Sequence, residues 1–337
     1  MRSRIESPKT KTGRLGGVNE SGGSMKLRIG TRTSELALTQ TRGIAAQLRE
    51  AHPGLEIEEV HLNTSGDQDR VTPLDAQGGV GLFTKELERA LLADECDLAV
   101  HSLKDLPTSL PDGLALCAVP ERVEPWDVWI SDSHPGLVDV PDGGVVRTGS
   151  LRRRAQILHR FPQLKVEGIR GNIDTRIAKY SEDGGVGLIL AAAGLKRTGR
   201  DRFIRHTFGP TELTPAPAQG ALGLEIRSDD EQTREWVSVL DHAPSHAAVS
   251  AERSFMAAVE AGCHFPIGAL ARTEGAHLTL LGMLATHDGA QLLQLSVEGE
   301  WQGEPGAAAQ IGQRLADTFR KSGGQEIIDA MLSGEGE

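Results

Sequence analysis

One type of junction recurs along this 337-residue chain and restricts the folds that it can adopt. A short apolar run ends, one to four polar or glycine residues follow, and an amphipathic helical pattern begins. The apolar runs are residues 27–30, 98–100, 145–146, 166–169 and 186–190. Short buried strands that alternate with helices predict an α/β fold.

Basic side chains stand at or just after these junctions. They are Arg32, Lys104, Arg152, Arg153, Arg170 and Arg197. Ligands of open α/β sheets bind beyond the carboxyl ends of the strands, where helix N-termini favour anions. Arginine is suited to bidentate recognition of carboxylate or phosphate. The positions therefore favour an anion-binding cleft over a solvated charged face.

The net charge of −11 hides an uneven distribution. Residues 147–205 hold eleven arginines and three lysines against five acidic residues, a local charge of +9, which leaves −20 for the rest of the chain. An acidic total argues against a general nucleic-acid binder. Nucleic-acid binding, in which residues 150–154 bind the phosphates of DNA, is the weaker alternative. The remaining acidic surface would repel a duplex.

The cysteines and the N-terminal residues indicate the cellular compartment. Cys96, Cys117 and Cys263 lie far apart without a CxxC pair, which predicts neither a disulfide framework nor a zinc site. The longest apolar run, residues 186–195, is too short to span a bilayer. Because no signal-peptide pattern opens the chain, we expect a cytoplasmic protein without a metal, and we expect residues 1–24 to be a disordered extension.

Composition and periodicity divide the chain further. The Gly/Pro/Asp-rich segments 131–144 and 214–220 are candidate boundaries. After residue 241 the pattern changes to a helix at 248–260, strands at 278–284 and 291–297, and a closing helix at 307–320. We therefore predict a first domain at 25–122 and 219–240, an Arg-rich second domain at 123–218, and a small α+β third domain at 241–337.

Two residues are candidates for chemistry. Asp105 follows a strand and Lys104, so its carboxylate can stay ionised and stabilise a developing positive charge or transfer a proton. The alternative is that it caps the turn before Pro107. Cys263 stands on a loop after a helix and is better placed for covalent chemistry than the other cysteines. The alternative is a small buried apolar residue.

Eight segments, in order from Met25, resemble the hydroxymethylbilane synthase family, also called porphobilinogen deaminases. They include RIGTRTSELAL, DLAVHSLKDLPT, GSLRRRAQ and RGNIDTR. The eight segments are residues 28–38, 81–92, 97–108, 149–156, 170–176, 190–197, 217–225 and 252–269.

The resemblance implies two periplasmic-binding-protein-like α/β domains joined by two crossovers, with a small α+β C-terminal domain. It implies a cytoplasmic, monomeric enzyme that joins four porphobilinogen molecules head to tail, releases ammonia, and passes hydroxymethylbilane to the next tetrapyrrole-pathway enzyme. A dipyrromethane cofactor would be bound covalently through a thioether to Cys263. No nucleic-acid or membrane partner is expected. The alternative is a non-catalytic, two-lobed anion-binding protein.

The resemblance also assigns roles to particular residues. Asp105 is the expected catalytic carboxylate. The residues expected to hold the cofactor are Cys263, Lys104, Ser150, Arg152, Arg153, Arg176 and Asp105. Those expected to hold substrate are Arg32, Ser34, Arg170, Arg176, Arg197, Phe83 and Gln219.

The chain departs from the family pattern at three positions. Arg147 and Gly149 flank Thr148 where the family usually has glycine and often serine, and Val80 replaces a frequent lysine. Gly149 removes a candidate hydroxyl ligand, and Arg147 either adds a cation to the site or faces solvent. We expect activity to persist with altered substrate affinity.

Overall fold

The computed structural model describes residues 25–62, 84–182, 184–259 and 265–333. The predicted extension at 1–24, together with Val80, Phe83 and Cys263, lies outside the described residues. The strands are β1 (Lys26–Arg32), β2 (Glu56–Leu62), β3 (Leu98–Ser102), β4 (Leu114–Ala118), β5 (Asp127–Ile130), β6 (Val145–Arg147), β7 (Lys165–Glu167), β8 (Gly187–Ala191), β9 (His206–Thr207), β10 (Leu222–Arg227), β11 (Ile267–Glu274), β12 (His277–Ala285) and β13 (Leu292–Glu300). The helices are α1 (Glu35–Ala51), α2 (Lys85–Leu92), α3 (Leu151–Arg160), α4 (Ile173–Glu182), α5 (Ala192–Arg197), α6 (Glu231–Val237), α7 (Ala243–Ala258), α8 (Pro305–Phe319) and α9 (Gln325–Ser333).

The first lobe is built on a five-stranded sheet in the order β2-β1-β3-β10-β4. β1 runs parallel to β2 and β3, whereas β10 is antiparallel to β3 and β4. Its core contains Leu27 and Ile29 from β1 and Ile44 and Leu48 from α1, each no more than 1% exposed. The i, i+4 spacing of Ile44 and Leu48 places both on the helix face that packs against the sheet.

The second lobe has a sheet in the order β7-β6-β8-β5-β9. Strand β6 is parallel to β7 and β8, and β5 is antiparallel to β8 and β9. The fully buried Trp129 on β5 requires glycine at position 187 on β8, since a Cβ there would lie 2.0 Å from the indole ring. This close approach lets the largest core side chain fit between neighbouring strands.

The chain crosses twice between the lobes. It passes from β4 to β5 and returns from β9 to β10, so the predicted two-lobed α/β fold with two crossovers is confirmed. Residues 214–220 lie on the return crossover. The boundary predicted at residues 131–144 is wrong, because this segment joins β5 to β6 within one sheet. Its prolines and glycines form a loop inside the lobe.

The third unit is the predicted α+β domain. An antiparallel sheet, β11-β12-β13, packs against α7, α8 and α9. Phe255 from α7 and Phe319 from α8 stack at a ring-centroid distance of 5.1 Å in its core. The sequence analysis did not predict β11 or α9. None of the helices within the described ranges combines the length and apolar character needed to cross a membrane.

Candidate anion-binding and active site

A small cavity opens where β1 and β3 end. Since these strands are parallel neighbours, their carboxyl ends meet at one edge of the first lobe. Arg32, Ser34, His101 and Asp105 are among its lining residues, and we call it the Asp105 cavity. Ser34 also caps α1, with its Oγ accepting from the backbone N–H of Ala37 at 3.4 Å. The predicted substrate residues Arg32 and Ser34 therefore line the same space as Asp105.

Asp105 itself lies at the end of a short 3-10 turn and is exposed. Within the described part of the chain its carboxylate makes no hydrogen bond or ion pair, so the turn-capping alternative has no support there. The backbone that follows Asp105 is fixed by an arginine of the third unit. Arg253 on α7 donates to the carbonyl oxygens of Leu106 at 2.8 Å and Pro107 at 2.6 Å.

A buried carboxylate on the second lobe binds two of the predicted arginines. Asp127 is 0% exposed and lies 2.7 Å from both Arg152 Nη1 and Arg153 Nη2. Gln219 Nε2 donates to Asp127 Oδ1 at 2.9 Å, and its Oε1 accepts from Lys104 Nζ at 3.4 Å. Burial favours a higher pKa for Asp127, but the two guanidinium groups hold that pKa well below its usual range.

More positive charge surrounds this carboxylate than it can balance. We call the set the cationic cluster, and it consists of Lys104, Arg152, Arg153, Arg170 and Arg176. Burial lowers the pKa of Lys104, and Arg153 and Arg152 lower it further against the opposing effect of Asp105 and Asp127. Burial, with Arg153 and Arg170, lowers the pKa of Arg176 to about 10. Five cations face two carboxylates, so the site is electrostatically suited to an added polyanion.

The hydrogen bonding of the cluster is incomplete, and Oδ2 of Asp127 forms an ion pair with Arg152 without a hydrogen bond among the described residues. The buried Nη2 of Arg170 and Nε of Arg152 have no hydrogen-bond partner among the described residues. Leaving a buried charged donor unpaired is costly, and a ligand carboxylate would satisfy it. The residues present therefore fit a polycarboxylate cofactor such as dipyrromethane with acetate and propionate side chains.

Helix α3 turns its charged residues inward. The apolar spacing of Leu151, Ala155 and Leu158 predicts that these three residues face the core, but Leu151 and Leu158 are only half-buried. Arg152 and Arg153 are each 5% exposed. That part of the prediction is wrong because the first turn of α3 pairs with Asp127, so ion pairing rather than apolar periodicity sets its rotation.

Ser150 and Arg197 are the remaining predicted residues within the described ranges. Ser150 caps α3, its Oγ accepting from the backbone N–H of Arg153 at 3.4 Å. Arg197, at the end of α5, donates to the carbonyl oxygen of Gly220 on the return crossover at 2.9 Å. Burial lowers the pKa of Arg197 to about 10. Phe83 and Cys263 are outside the described residues.

The two described departures from the family pattern have local explanations. Arg147 is buried and pairs with Glu167 at 2.6 Å, so the interpretation that it faces solvent is wrong. A Cβ at Gly149 would lie 3.1 Å from the carbonyl oxygen of Ile169, which is a tight approach. Any larger residue there requires the end of the neighbouring strand to shift.

The two described cysteines match the interpretation as unreactive residues. Cys96 is fully buried, and burial raises the pKa of its thiol to about 11. Cys117 is half-buried, and burial raises its pKa as well. Neither thiol is activated as a nucleophile.

The sequence analysis missed Asp127 and Arg253. An acidic residue inside the apolar run at 126–130 is a signal for Asp127, because an unpaired charge is rarely buried in a strand. Arg253 carries no such signal. Its partners, Leu106 and Pro107, lie 147 and 146 residues away along the chain.

Comparison with known proteins covers nearly the whole chain. Residues 27–235 match the family described as "Porphobilinogen deaminase, dipyromethane cofactor binding domain", and residues 246–321 match "Porphobilinogen deaminase, C-terminal domain". Porphobilinogen deaminase of Staphylococcus carnosus (strain TM300) is 41% identical over 308 residues, 91% of this chain and 98% of that protein. Porphobilinogen deaminase of Syntrophobacter fumaroxidans (strain DSM 10017 / MPOB) is 42% identical over 303 residues, 90% and 97% of the two chains.

Solved structures give a weaker likeness. The methionine-binding protein MetQ has a TM-score of 0.43 and 12% identity, covering 65% of this chain and 90% of its own. A putative methionine-binding lipoprotein from Bacillus subtilis has a TM-score of 0.39 and 10% identity, covering 64% and 88%. The sequence relatives and family matches are decisive, and the chain belongs to the porphobilinogen deaminase family.

Proposed function

We propose that this protein deaminates four porphobilinogen molecules and joins them head to tail into hydroxymethylbilane, releasing ammonia. The observation that carries the proposal is the excess of positive charge in the cationic cluster beside the Asp105 cavity, where two of the five cations are buried and three are half-buried. Porphobilinogen has an acetate and a propionate side chain, so each added unit brings two carboxylates. A growing polypyrrole is thus the kind of polyanion that the cluster is suited to hold.

The cofactor side of the proposal assigns a covalent dipyrromethane to Cys263 through a thioether. When bound, this group supplies the pyrrole to which the first substrate is joined. The residues proposed to hold its carboxylates are Lys104, Ser150, Arg152, Arg153 and Arg176. The fit rests on the unpaired guanidinium nitrogens and on a planar donor geometry that matches carboxylates.

The substrate side of the proposal uses the edge of the first lobe and the facing part of the second. Arg32 and Ser34 line the Asp105 cavity, where they would bind the carboxylates of the incoming porphobilinogen. Arg170, Arg176 and Arg197 are proposed to bind carboxylates from the second lobe. Gln219 is proposed to help orient the substrate, as is Phe83. Their joint effect would be to hold the reacting carbons in line.

Asp105 is the proposed catalytic residue. Its carboxylate lines the cavity and has no hydrogen-bond or ion-pair partner among the described residues, so it is available to the pyrrole N–H. As ammonia leaves, positive charge develops on the pyrrole ring, and an ionised carboxylate beside it stabilises that charge. The same carboxylate can also hold a proton at its oxygen during the step.

Replacing Asp105 tests the catalytic assignment. We expect Asp105→Ala to lower kcat by at least about 10²–10³-fold, the usual size of a lost electrostatic stabiliser. The midpoint of unfolding should stay unchanged, because the side chain is exposed and makes no hydrogen bond or ion pair within the described ranges. Asp112→Ala, at another exposed aspartate after the same strand, is the matched control. Near-normal turnover in Asp105→Ala would refute the assigned role.

Mass spectrometry of the intact protein tests the cofactor. We expect a mass increment of two pyrrole units that is lost in Cys263→Ser and retained in Cys117→Ser. An active but unmodified protein would reject the cofactor proposal. An unmodified and inactive protein that still binds porphobilinogen would instead support the non-catalytic anion-binding alternative.

We also propose the cellular setting. Free thiols such as Cys96 are compatible with a reducing cytoplasm. The enzyme would act as a monomer and pass its product to the next tetrapyrrole-pathway enzyme. Sedimentation of the purified protein tests the monomer, since a mass twice that of the 337-residue chain would contradict it.

A further inference from the structure

A histidine in the wall of the Asp105 cavity has no role in the scheme above. His101 on β3 lines the cavity and is 4% exposed. Its Nε2 lies 2.8 Å from Oε2 of Glu225 on β10, a carboxylate that is 0% exposed. A carboxylate can only accept, so the hydrogen of a neutral His101 is on Nε2 and the basic lone pair is on Nδ1.

A second buried acid stands behind this pair. Glu88 on α2 is 7% exposed, and burial together with the charge of Glu225 raises its pKa. Two nearby carboxyl groups repel each other when both are ionised, and this repulsion favours the protonated form of Glu88. Oε1 of Glu225 has no hydrogen-bond partner within the described residues. The charge of Glu225 is therefore directed mainly at His101.

Charged groups reach the pair from every side. Glu225 approaches His101 from β10 and Glu88 from α2, while Arg253 of α7 acts electrostatically on Glu225. On the cavity side, Arg32 and Asp105 share the lining with His101. The imidazole thus contacts a buried carboxylate and belongs to the lining of the space proposed for the reacting pyrroles.

A purely structural role leaves this arrangement unexplained. Strands β3 and β10 are already joined by a backbone ladder over five residue pairs. Burying an ionisable pair is often no better for stability than an apolar pair of similar volume. An imidazole that lines the cavity and has a buried carboxylate on one nitrogen is an arrangement that orients a general base.

We propose that His101 is a second catalytic residue, which accepts the proton lost by the acceptor pyrrole. This inference rests on the proposed function. When a porphobilinogen is joined, its C–N bond breaks and the electron pair leaves with ammonia. The acceptor carbon forms the new C–C bond and then loses its hydrogen. The C–H electron pair returns to the ring, and the proton passes to Nδ1 of His101, which Glu225 stabilises as an imidazolium. The proton then leaves with ammonia as ammonium.

The test uses porphobilinogen labelled with deuterium at its free α-carbon. In His101→Gln we expect kcat to fall about 10²-fold, within the usual range for a lost general base. The deuterium isotope effect on kcat should rise above that of the wild type, because C–H cleavage becomes slower than the other steps. KM should change little. The pH profile of kcat/KM should also differ from that of the wild type, because the variant lacks the imidazole base.

The controls separate this role from folding and from the proposed function. His52→Gln changes a half-buried histidine that bonds a carbonyl oxygen outside the cavity, and it should behave as wild type. Glu225→Gln should shift kcat and the isotope effect in the same direction as His101→Gln, and it carries the test where His101→Gln does not fold. An unchanged isotope effect and pH profile in the folded variants would overturn the role of His101. A wild type that lacks the primer mass and porphobilinogen turnover would instead overturn the proposed function.

Discussion

Two buried carboxylates in this protein pair with arginine, and their surroundings differ. Glu252 on α7 is 0% exposed and accepts from Arg122 at 2.6 and 3.2 Å, from the Ala218 N–H at 2.6 Å, and from the Ala271 N–H at 2.7 Å. We call this the Glu252 joint. It fastens the first lobe, the return crossover and the third unit at one point.

Asp127 is equally buried, but it lies among more cations than it can neutralise. Two arginines pair with it directly, and Lys104 reaches it through Gln219. At the Glu252 joint one carboxylate meets one guanidinium and its oxygens are fully used by donors of the chain. The two sites differ in net charge and therefore in role. A buried ion pair of zero net charge holds domains together, whereas a site with excess positive charge can still bind an external anion.

The largest effect is expected at the Glu252 joint. Glu252→Gln leaves the Arg122 guanidinium buried without its counter-charge, so we expect the free energy of unfolding to fall by about 3–5 kcal/mol. Denaturant titration measures this. The control is Glu95→Gln, in the exposed Arg89–Glu95 pair, which should cost less than about 1 kcal/mol. Equal unfolding midpoints for Glu252→Gln and the wild type would show that the joint contributes no stability.

A smaller and ligand-dependent effect is expected at Asp127. Asp127→Asn should cost about 1–3 kcal/mol in buffer of low ionic strength, because charged donors lose their acceptor. Citrate, a small polycarboxylate, should stabilise the folded state of both variants, because both keep the cationic cluster. The gain in stability should be larger for Asp127→Asn, in which the cluster has lost a negative charge. Equal responses of both variants to citrate would contradict the distinction between the two sites.

The same substitution should change acid stability. The pKa of Asp127 is lower in the folded chain than its usual value of about 3.9. The contribution of Asp127 to the free energy of unfolding is therefore fully present above about pH 4. It is lost as the pH falls through the lower pKa of the folded state. Below that range the wild type and Asp127→Asn should converge in unfolding midpoint.

The sequence predicted the fold better than it predicted the pairings inside it. Periodicity is local, so most strand–helix junctions could be identified and the basic residues after them indicated an anion site. Ion pairs depend on which strands become neighbours, and periodicity does not specify this. Arg153 and Asp127 are 26 residues apart, and Arg122 and Glu252 are 130 apart. The inward rotation of α3 was missed for this reason.

These ion pairs also determine which arginine can be replaced to test ligand binding without disturbing the fold. Arg152 and Arg153 bind Asp127, so replacing either disturbs the fold as well as the ligand site. Arg176 is half-buried, and its positive charge is destabilised there. Burial and the charges of Arg153 and Arg170 lower its pKa to about 10. Removing that charge relieves repulsion, so Arg176→Leu should not reduce stability in the way that Glu252→Gln does.

Binding, by contrast, should suffer. A hydrogen bond from a charged donor contributes about 1.5–3 kcal/mol, so Arg176→Leu should raise KM for porphobilinogen about ten- to hundredfold. The matched control is Arg160→Leu, which changes an exposed arginine that donates to the Thr211 carbonyl oxygen at 2.8 Å and should leave KM unchanged. Steady-state kinetics and thermal unfolding on the same preparations give both readouts. A lower unfolding midpoint with unchanged KM would place Arg176 with the balanced, structural pairs and would contradict its role as a ligand of the substrate.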